Sequence, residues 1–193
     1  KSFTEEVWLN LTSPLKHQLK SPAVVDFNDS SLIESVNALR WDGFGWWSTN
    51  VDGSGVARVA EYFGIDIAGG ATIGIVGGGG AARSTAHTWQ KLGGKVLNLG
   101  GKRDLTNYDW YESNSVDGKV CDVFINFDDD AIPSGIKVTG FVMSATYQLI
   151  EGEHEDRVAA VKSEVIDGRW LLSAQHLECW RQLWAPHVDG LLP

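Results

Sequence analysis

Cysteine is scarce in this sequence. Its 193 residues hold only Cys121 and Cys179, too few and too far apart for a disulfide framework or a metal knuckle, and a reducing, cytoplasmic setting fits. Long apolar runs are missing too. Nothing approaches the roughly 18 apolar residues a membrane-spanning helix needs, so none is expected. The opening Lys1-Ser-Phe-Thr-Glu-Glu6 lacks the pattern of a signal peptide. Positive charge is outnumbered: 16 Lys and Arg stand against 25 Asp and Glu, and the net charge of −9 argues against nucleic acid or an anionic membrane as partner. Metal-ligand spacing is absent among His17, His87, His154, His176 and His187. Asp128-Asp-Asp130 has no calcium-loop partners and reads as a solvated acidic turn. There is no internal repeat and no low-complexity segment.

What is present is an ordinary globular composition, 43% hydrophobic and 21% charged, on a chain long enough for one core or one and a half. Nine Trp residues are many for this length; scattered as they are, most read as core or interdomain packing.

The most informative stretch is Ala71-Thr-Ile-Gly-Ile-Val-Gly-Gly-Gly-Gly-Ala-Ala-Arg83. A short β-branched run predicts a buried strand. Four glycines follow, then a helical pattern ending near Leu92-Gly93-Gly94, then a second strand at Lys95–Leu99. Gly77, Gly79 and Ala82 fit the G-x-G-x-x-G/A spacing in the strand–helix context it requires. Gly77 permits the tight turn, Gly79 lets backbone approach a pyrophosphate, and Ala82 allows close helix–strand packing. The helix N-terminus offers free N–H groups and partial positive charge to phosphates. A dinucleotide is therefore expected along Gly77, Gly78, Gly79, Gly80, Ala81 and Ala82.

An NAD site usually has a carboxylate about 20 residues on, at the end of the second strand. Here that strand runs into Asn98-Leu-Gly-Gly-Lys102-Arg103, with no carboxylate at its end and two cations beyond. Lys and Arg pair well with a 2′-phosphate, which favours NADP. The bland reading makes Lys102 and Arg103 solvated loop charges blunted by Asp104.

Earlier in the chain, a strand is predicted over Glu6–Asn10, and Ser13-Pro14 marks the cap and first position of a helix. Lys16 would lie in that helix's first turn, where the macrodipole disfavours a cation, a setting suited to acid–base work. By itself it would be taken as a surface lysine. A strand is predicted over Leu32–Arg40 with a turn at Trp41–Gly45, then a helix over Ser54–Tyr62 ending at Gly64.

In order, Asn10-x-Thr12-x-Pro14-x-Lys16, then Val36-Asn37, then Thr49-Asn50-Val-Asp52-Gly53, then the glycine loop, then Gly168-Arg-Trp-Leu-Leu-Ser-Ala-Gln175 resemble the shikimate dehydrogenase family. The agreement runs from about residue 7 to residue 92 and resumes near the C-terminus. The resemblance implies a two-lobed α/β enzyme: a truncated substrate-binding lobe over 1–53, a Rossmann dinucleotide-binding domain over 54–167, and a C-terminal segment, 168–193, returning to the first lobe. It implies NADP-dependent reduction of 3-dehydroshikimate to shikimate, a step toward chorismate and the aromatic amino acids. Carried over by position, Lys16 and Asp52 would be the catalytic pair. Thr12, Asn37 and Gln175 would bind substrate hydroxyls with Asn10 supporting the loop, and Asn98 and Asn126 would join Lys102 and Arg103 at the cofactor.

The departures are equally specific. The family opens with a strand and loop bearing two serines for the substrate carboxylate, and this sequence starts after that point. Leu99-Gly-Gly-Lys102-Arg103 replaces the family's N-R-T continuation. Cys121-Asp-Val-Phe-Ile-Asn126 fits its D-x-x-x-N strand, but Phe127-Asp128 replaces Thr-Pro, and Gly140 and Met143 stand in its D-x-x-Y. A related cyclic hydroxy acid such as quinate as substrate, a catalytically silent member that binds metabolite or nucleotide, a homodimer and an N-terminal segment supplied by a longer chain all stay open. A methylenetetrahydrofolate dehydrogenase would need a folate-site motif, and none is found.

Overall fold

In the computed structural model, which describes residues 5–17, 24–112, 119–128, 134–146 and 164–191, two sheets share the chain and meet near Asn50. Of the acidic run at 128–130 only Asp128 falls within these residues, and His154 lies outside them. The first sheet contains β1 (Val7–Asn10), β2 (Val24–Asp26), β3 (Ala38–Trp41) and β4 (Trp46–Thr49) in the order β1-β3-β4-β2. β3 is antiparallel to β1 and β4, and β2 is parallel to β4. The turn predicted at Trp41–Gly45 closes the β3–β4 hairpin. Asp42 accepts from the backbone N–H groups of Phe44 and Gly45 and from the Trp47 indole, and Gly43 takes a φ of 97°.

Two sequence expectations change here. The strand predicted from Leu32 begins only at Ala38. Upstream of it, the Asp26 carboxylate accepts from the Ser30 and Ser31 N–H groups at 3.0 and 2.9 Å and from the Ser30 hydroxyl. Asp29 and Glu34 adopt φ of 62° and 50°, and this local capping competes successfully with strand pairing. Ile33 and Val36, which suggested a strand, are instead buried from a turn and a loop. The helix predicted from Pro14 is a single 3₁₀ turn, Leu15–His17, within the described residues. A turn of three residues builds no macrodipole, so the helix field expected at Lys16 is absent.

The second sheet is parallel throughout: β5 (Thr72–Val76), β6 (Lys95–Asn98), β7 (Val120–Asn126), β8 (Lys137–Met143) and β9 (Glu164–Ile166), ordered β6-β5-β7-β8-β9. Helices α1 (Asp52–Tyr62), α2 (Gly80–Lys91) and α3 (Gly168–Cys179) pack together on one face. β5, α2 and β6 form the βαβ unit read from the glycine stretch. Ile73, Ile75, Val123 and Ile125 face this helical layer, meeting Val56 and Val59 of α1, Ala82, Ala86 and Trp89 of α2, and Leu171 and Ala174 of α3. Val76, Cys121, Phe124 and Val142 form a second cluster. Both faces are apolar, as a parallel sheet demands. A register shift between Cys121 and Val123 is pinned by Asp122, which accepts from Thr72 N–H and Thr139 Oγ1, each at 2.8 Å.

After α3 the chain continues as a π-helical turn, Trp180–Trp184, against β3 and β4. Ala38, Val51, Cys179, Leu183 and Trp184 close a third cluster there, with Trp47 and Trp180 beside it. Trp8 packs edge-on to Trp180 at 5.0 Å and stacks on Trp184 at 6.2 Å. Trp8 and Trp170 nevertheless remain exposed, unlike the fully buried Trp89.

The two sheets are tied by specific bonds. The Gly53 N–H of α1 donates to Ser84 Oγ of α2 at 2.9 Å. Buried Arg83 donates to the Glu34 carbonyl at 2.9 Å and to the Tyr108 hydroxyl. Asp29 bonds Lys91 at 2.7 Å and His87 at 3.3 Å. Among the described residues, no helix is long and apolar enough to cross a membrane.

Candidate active site

At the junction of the sheets the chain buries a carboxylate. Asp52, the first residue of α1, is 2% exposed. Its Oδ2 lies 2.6 Å from Lys16 Nζ, and its Oδ1 accepts from Asn37 Nδ2 at 2.8 Å and Gln175 Nε2 at 3.0 Å. Burial of a charge is costly unless it is paired and hydrogen-bonded. Here a cation and two amides pair with it at the N-terminal end of α1.

The local fold positions each partner. Asn37 Oδ1 accepts from the Val51 N–H at 3.0 Å, and Asn50 Oδ1 accepts from the Asp52 N–H at 3.0 Å, so two asparagines shape the turn into α1. Asn50 is itself held by Ser35, through the hydroxyl at 2.8 Å and the carbonyl at 3.1 Å. Gln175 reaches Asp52 from α3, which crosses α1 closely: a Cβ on Gly55 would lie 2.6 Å from Gln175 Cγ.

These groups line a cavity of about 110 Å³, with Asn10, Thr12, Lys16, Asn37, Asp52 and Gln175 in its wall beside the apolar Leu11, Val51 and Leu172. The structure thus brings together the six residues singled out for catalysis and substrate. Thr12 and Asn10 stand at the exposed end, and Asp52 and Asn37 at the buried end. Sequence reasoning missed two lining residues that carry chemistry of their own, His176 and Cys179. The signal was available, because one directly follows Gln175 and the other lies one turn beyond it on α3. Cys179 is no nucleophile: burial, and then the Asp52 and Glu178 charges, push its thiol up to about 12.

A second cavity, about 350 Å³, lies off the C-terminal ends of β5 and β7, where the strand order reverses direction. Gly79, Gly80, Ala81, Ala82, Lys102, Arg103, Phe127 and Asp128 line it together with Ser13, Pro14 and Lys16. The four glycines do different work. Gly77 takes a φ of 115°, which favours glycine, and an added Cβ on Gly78 would collide with the Arg103 carbonyl. Gly79, at the N-cap of α2, has nothing within 4 Å of its Cβ position, so its backbone is open to a ligand. That open cradle, the free N–H groups of a 12-residue helix and two flanking cations suit a dinucleotide pyrophosphate.

Asn98 and Asn126, also expected at the cofactor, are not in the cavity wall. Asn98 donates to Asp104 at 2.7 Å and accepts from the Gly100 N–H at 3.0 Å, and Asn126 accepts from the Asp128 N–H at 3.0 Å. Their amides hold the loops that carry Lys102 and Asp128. Asp128 is the discordant group. Its carboxylate accepts from the Lys102 N–H at 2.8 Å and abuts Gly77, an anion where an anion is to be bound.

Lys16 belongs to both cavities. An ammonium has three donors, and one goes to Asp52. The arrangement places a proton donor between a polar pocket and a phosphate cradle.

No family model matches the chain. A curated relative, the shikimate dehydrogenase (NADP(+)) of Methylibium petroleiphilum, is 36% identical over 91 residues, 47% of this chain. The match spans 31% of that relative's own length. Among solved structures, shikimate 5-dehydrogenase from Thermus thermophilus, in complex with NADP(H) and shikimate, superposes with a TM-score of 0.69 at 21% identity, covering 96% of this chain and 74% of that one. Shikimate dehydrogenase from Aquifex aeolicus gives 0.68 at 19% identity, over 93% of this chain and 72% of that one.

Proposed function

We propose that this chain, which resembles the shikimate dehydrogenases in sequence and shares their fold, interconverts 3-dehydroshikimate and shikimate with NADP(H). The observation that carries this reading is Lys16, ion-paired to buried Asp52 and facing both cavities. When bound along Gly79–Ala82 with Lys102 and Arg103 beside it, the cofactor would supply or accept hydride.

The rest is work for this chain's side chains. A ketone that gains hydride becomes alkoxide-like at oxygen, and that oxygen needs a cation and a proton. Lys16 Nζ supplies both, giving up a proton in the reductive direction and regaining one in the oxidative direction. Asp52 fixes the ammonium and, through its Asn37 and Gln175 partners, sets the amides that meet neighbouring ring hydroxyls. Thr12 offers a hydroxyl at the exposed end. A polyhydroxylated ring suits a wall rich in amide and hydroxyl groups, since each unmatched buried donor would weaken binding.

The test is reduction of NADP⁺ followed at 340 nm with shikimate, repeated with quinate and with NAD⁺. Turnover with shikimate and NADP⁺ supports the reading. Preference for quinate would reassign the substrate, and preference for NAD⁺ would remove the role given to Lys102 and Arg103. Saturable NADPH binding without turnover of either acid would make the chain a binding protein.

A further inference from the structure

The polar pocket holds a problem of charge. Its buried end already contains the Asp52 carboxylate, whose cation partner, Lys16, is engaged at 2.6 Å. A substrate that carries a carboxylate of its own, as shikimate does, cannot place it beside Asp52 without like-charge repulsion. It must therefore point to the opposite, exposed end, where Asn10, Thr12 and His176 stand. Of these three, only His176 can become a cation.

Its geometry suits the task. Nδ1 lies 2.8 Å from the Leu172 carbonyl on the preceding turn of α3, so Nδ1 carries a hydrogen and Nε2 is the ring nitrogen left for other partners. Nε2 lies 3.4 Å from Asn10 Nδ2, a long contact to a second residue of the same wall. Asn10 Oδ1 is 3.8 Å from Cys179 Sγ, and the imidazole lies against the Trp184 ring at 6.5 Å. The groups facing His176 are thus Asn10 from β1, Leu172 and Cys179 from α3 and Trp184 from the π-helical turn, with Lys16 and Asp52 in the same pocket.

We infer that His176, through Nε2, binds the carboxylate of the substrate and takes up a proton in doing so. Without substrate, Nε2 is an acceptor for Asn10. With the acid bound, both ring nitrogens carry hydrogen, Nδ1–H to Leu172 and Nε2–H to the carboxylate, a charge-assisted bond. The proton comes from solvent. His176 binds rather than performs chemistry, and the inference rests on the substrate class proposed above.

The experiment compares shikimate with its neutral methyl ester on the wild type, His176→Ala and His176→Gln, by calorimetry with NADP⁺ present and by steady-state kinetics. On the wild type the acid should bind about tenfold tighter than the ester, in line with one hydrogen bond to a charged group. Both variants should lose that preference while holding the ester as the wild type does, so KM for the acid rises about tenfold and kcat changes far less. At pH 8, where imidazoles are ordinarily neutral, wild-type binding of the acid should take up a proton, seen as a dependence of heat on buffer ionisation enthalpy, and His176→Gln should not. Equal weakening of acid and ester in both variants would mean a structural role and overturn the inference, as would an unchanged acid preference. If neither compound binds the wild type, the proposed substrate class itself fails, and the inference with it.

Discussion

At the scale of single residues, the Lys16–Asp52 pair carries the sharpest expectations. Lys16→Ala should lower kcat on the order of 10²–10⁴-fold, the usual worth of a positioned acid. NADPH affinity should persist, because the phosphate cradle is built from backbone. Loss of NADPH binding in that variant, measured by fluorescence titration, would count against the role assigned to Lys16. The cysteines make a contrasting case. Burial holds the Cys121 thiol up at about 11 and the Cys179 thiol at about 12. Neither should react with a thiol-specific disulfide reagent in the native protein, and both should react once it is unfolded in guanidinium. Rapid native-state labelling would show the pocket wall at Cys179 to be open. The gathering of these residues was partly legible in the sequence. The spacing Asn10-x-Thr12-x-Pro14-x-Lys16 named part of a pocket wall, but no pattern in the sequence shows that Asp52 accepts from Asn37 and, 123 residues on, from Gln175.

At the scale of elements, the proposed cofactor choice rests on the glycine loop and its neighbours. Replacing Lys102 and Arg103 together by Ala should weaken NADPH by about tenfold or more while leaving NADH little changed, because only the 2′-phosphate would be lost as a partner. Asp128→Asn should act in the opposite direction and tighten NADPH several-fold, on the order of one relieved like-charge contact. Asparagine keeps the oxygen that accepts from the Lys102 N–H, so the loop should stay in place. Isothermal titration of both variants checks the signs. β5 and α2 were readable from the sequence because a short β-branched run, four glycines and a helical pattern follow one another, and α3 was readable through its family resemblance at Gly168–Gln175. The segment 27–37 was not. Its apolar residues imitate a strand, whereas Asp26 and two residues at positive φ build turns whose hydrogen bonds leave no trace in hydropathy.

At the scale of the whole molecule, α3 and the π-helical turn join cores on both sheets. Leu171 lies in the core of the second sheet, and Leu183 and Trp184 lie in the cluster on the first. Side chains of this kind contribute roughly 1.5–3 kcal/mol each when buried, and three of them rival a typical net stability of about 5–15 kcal/mol. A chain ending at residue 167 should therefore show no cooperative thermal transition by circular dichroism. Stability across the sheet junction should also depend on pH. Asp29 is held below the ordinary carboxylate range by hydrogen bonds to Lys91 and then His87. A lowered folded-state pKa stabilises above the unfolded value of 3.8 and is lost as pH falls through the folded one. Asp29→Asn should thus be less stable than the wild type at neutral pH by a modest amount, because the carboxylate is partly exposed, and equal to it in strong acid.

The bond between the Gly53 N–H and Ser84 Oγ reaches further than its 2.9 Å suggests. It fastens the residue after Asp52 to the helix whose N-terminus is proposed to cradle phosphate, a direct tie between the walls of the two cavities. Any coupling carried by such a bond is a thermodynamic linkage and runs both ways. Whatever factor NADP⁺ applies to the dissociation constant of shikimate, shikimate must apply to that of NADP⁺. The compartments proposed as substrate site and cofactor site are thus joined through the Ser84 hydroxyl.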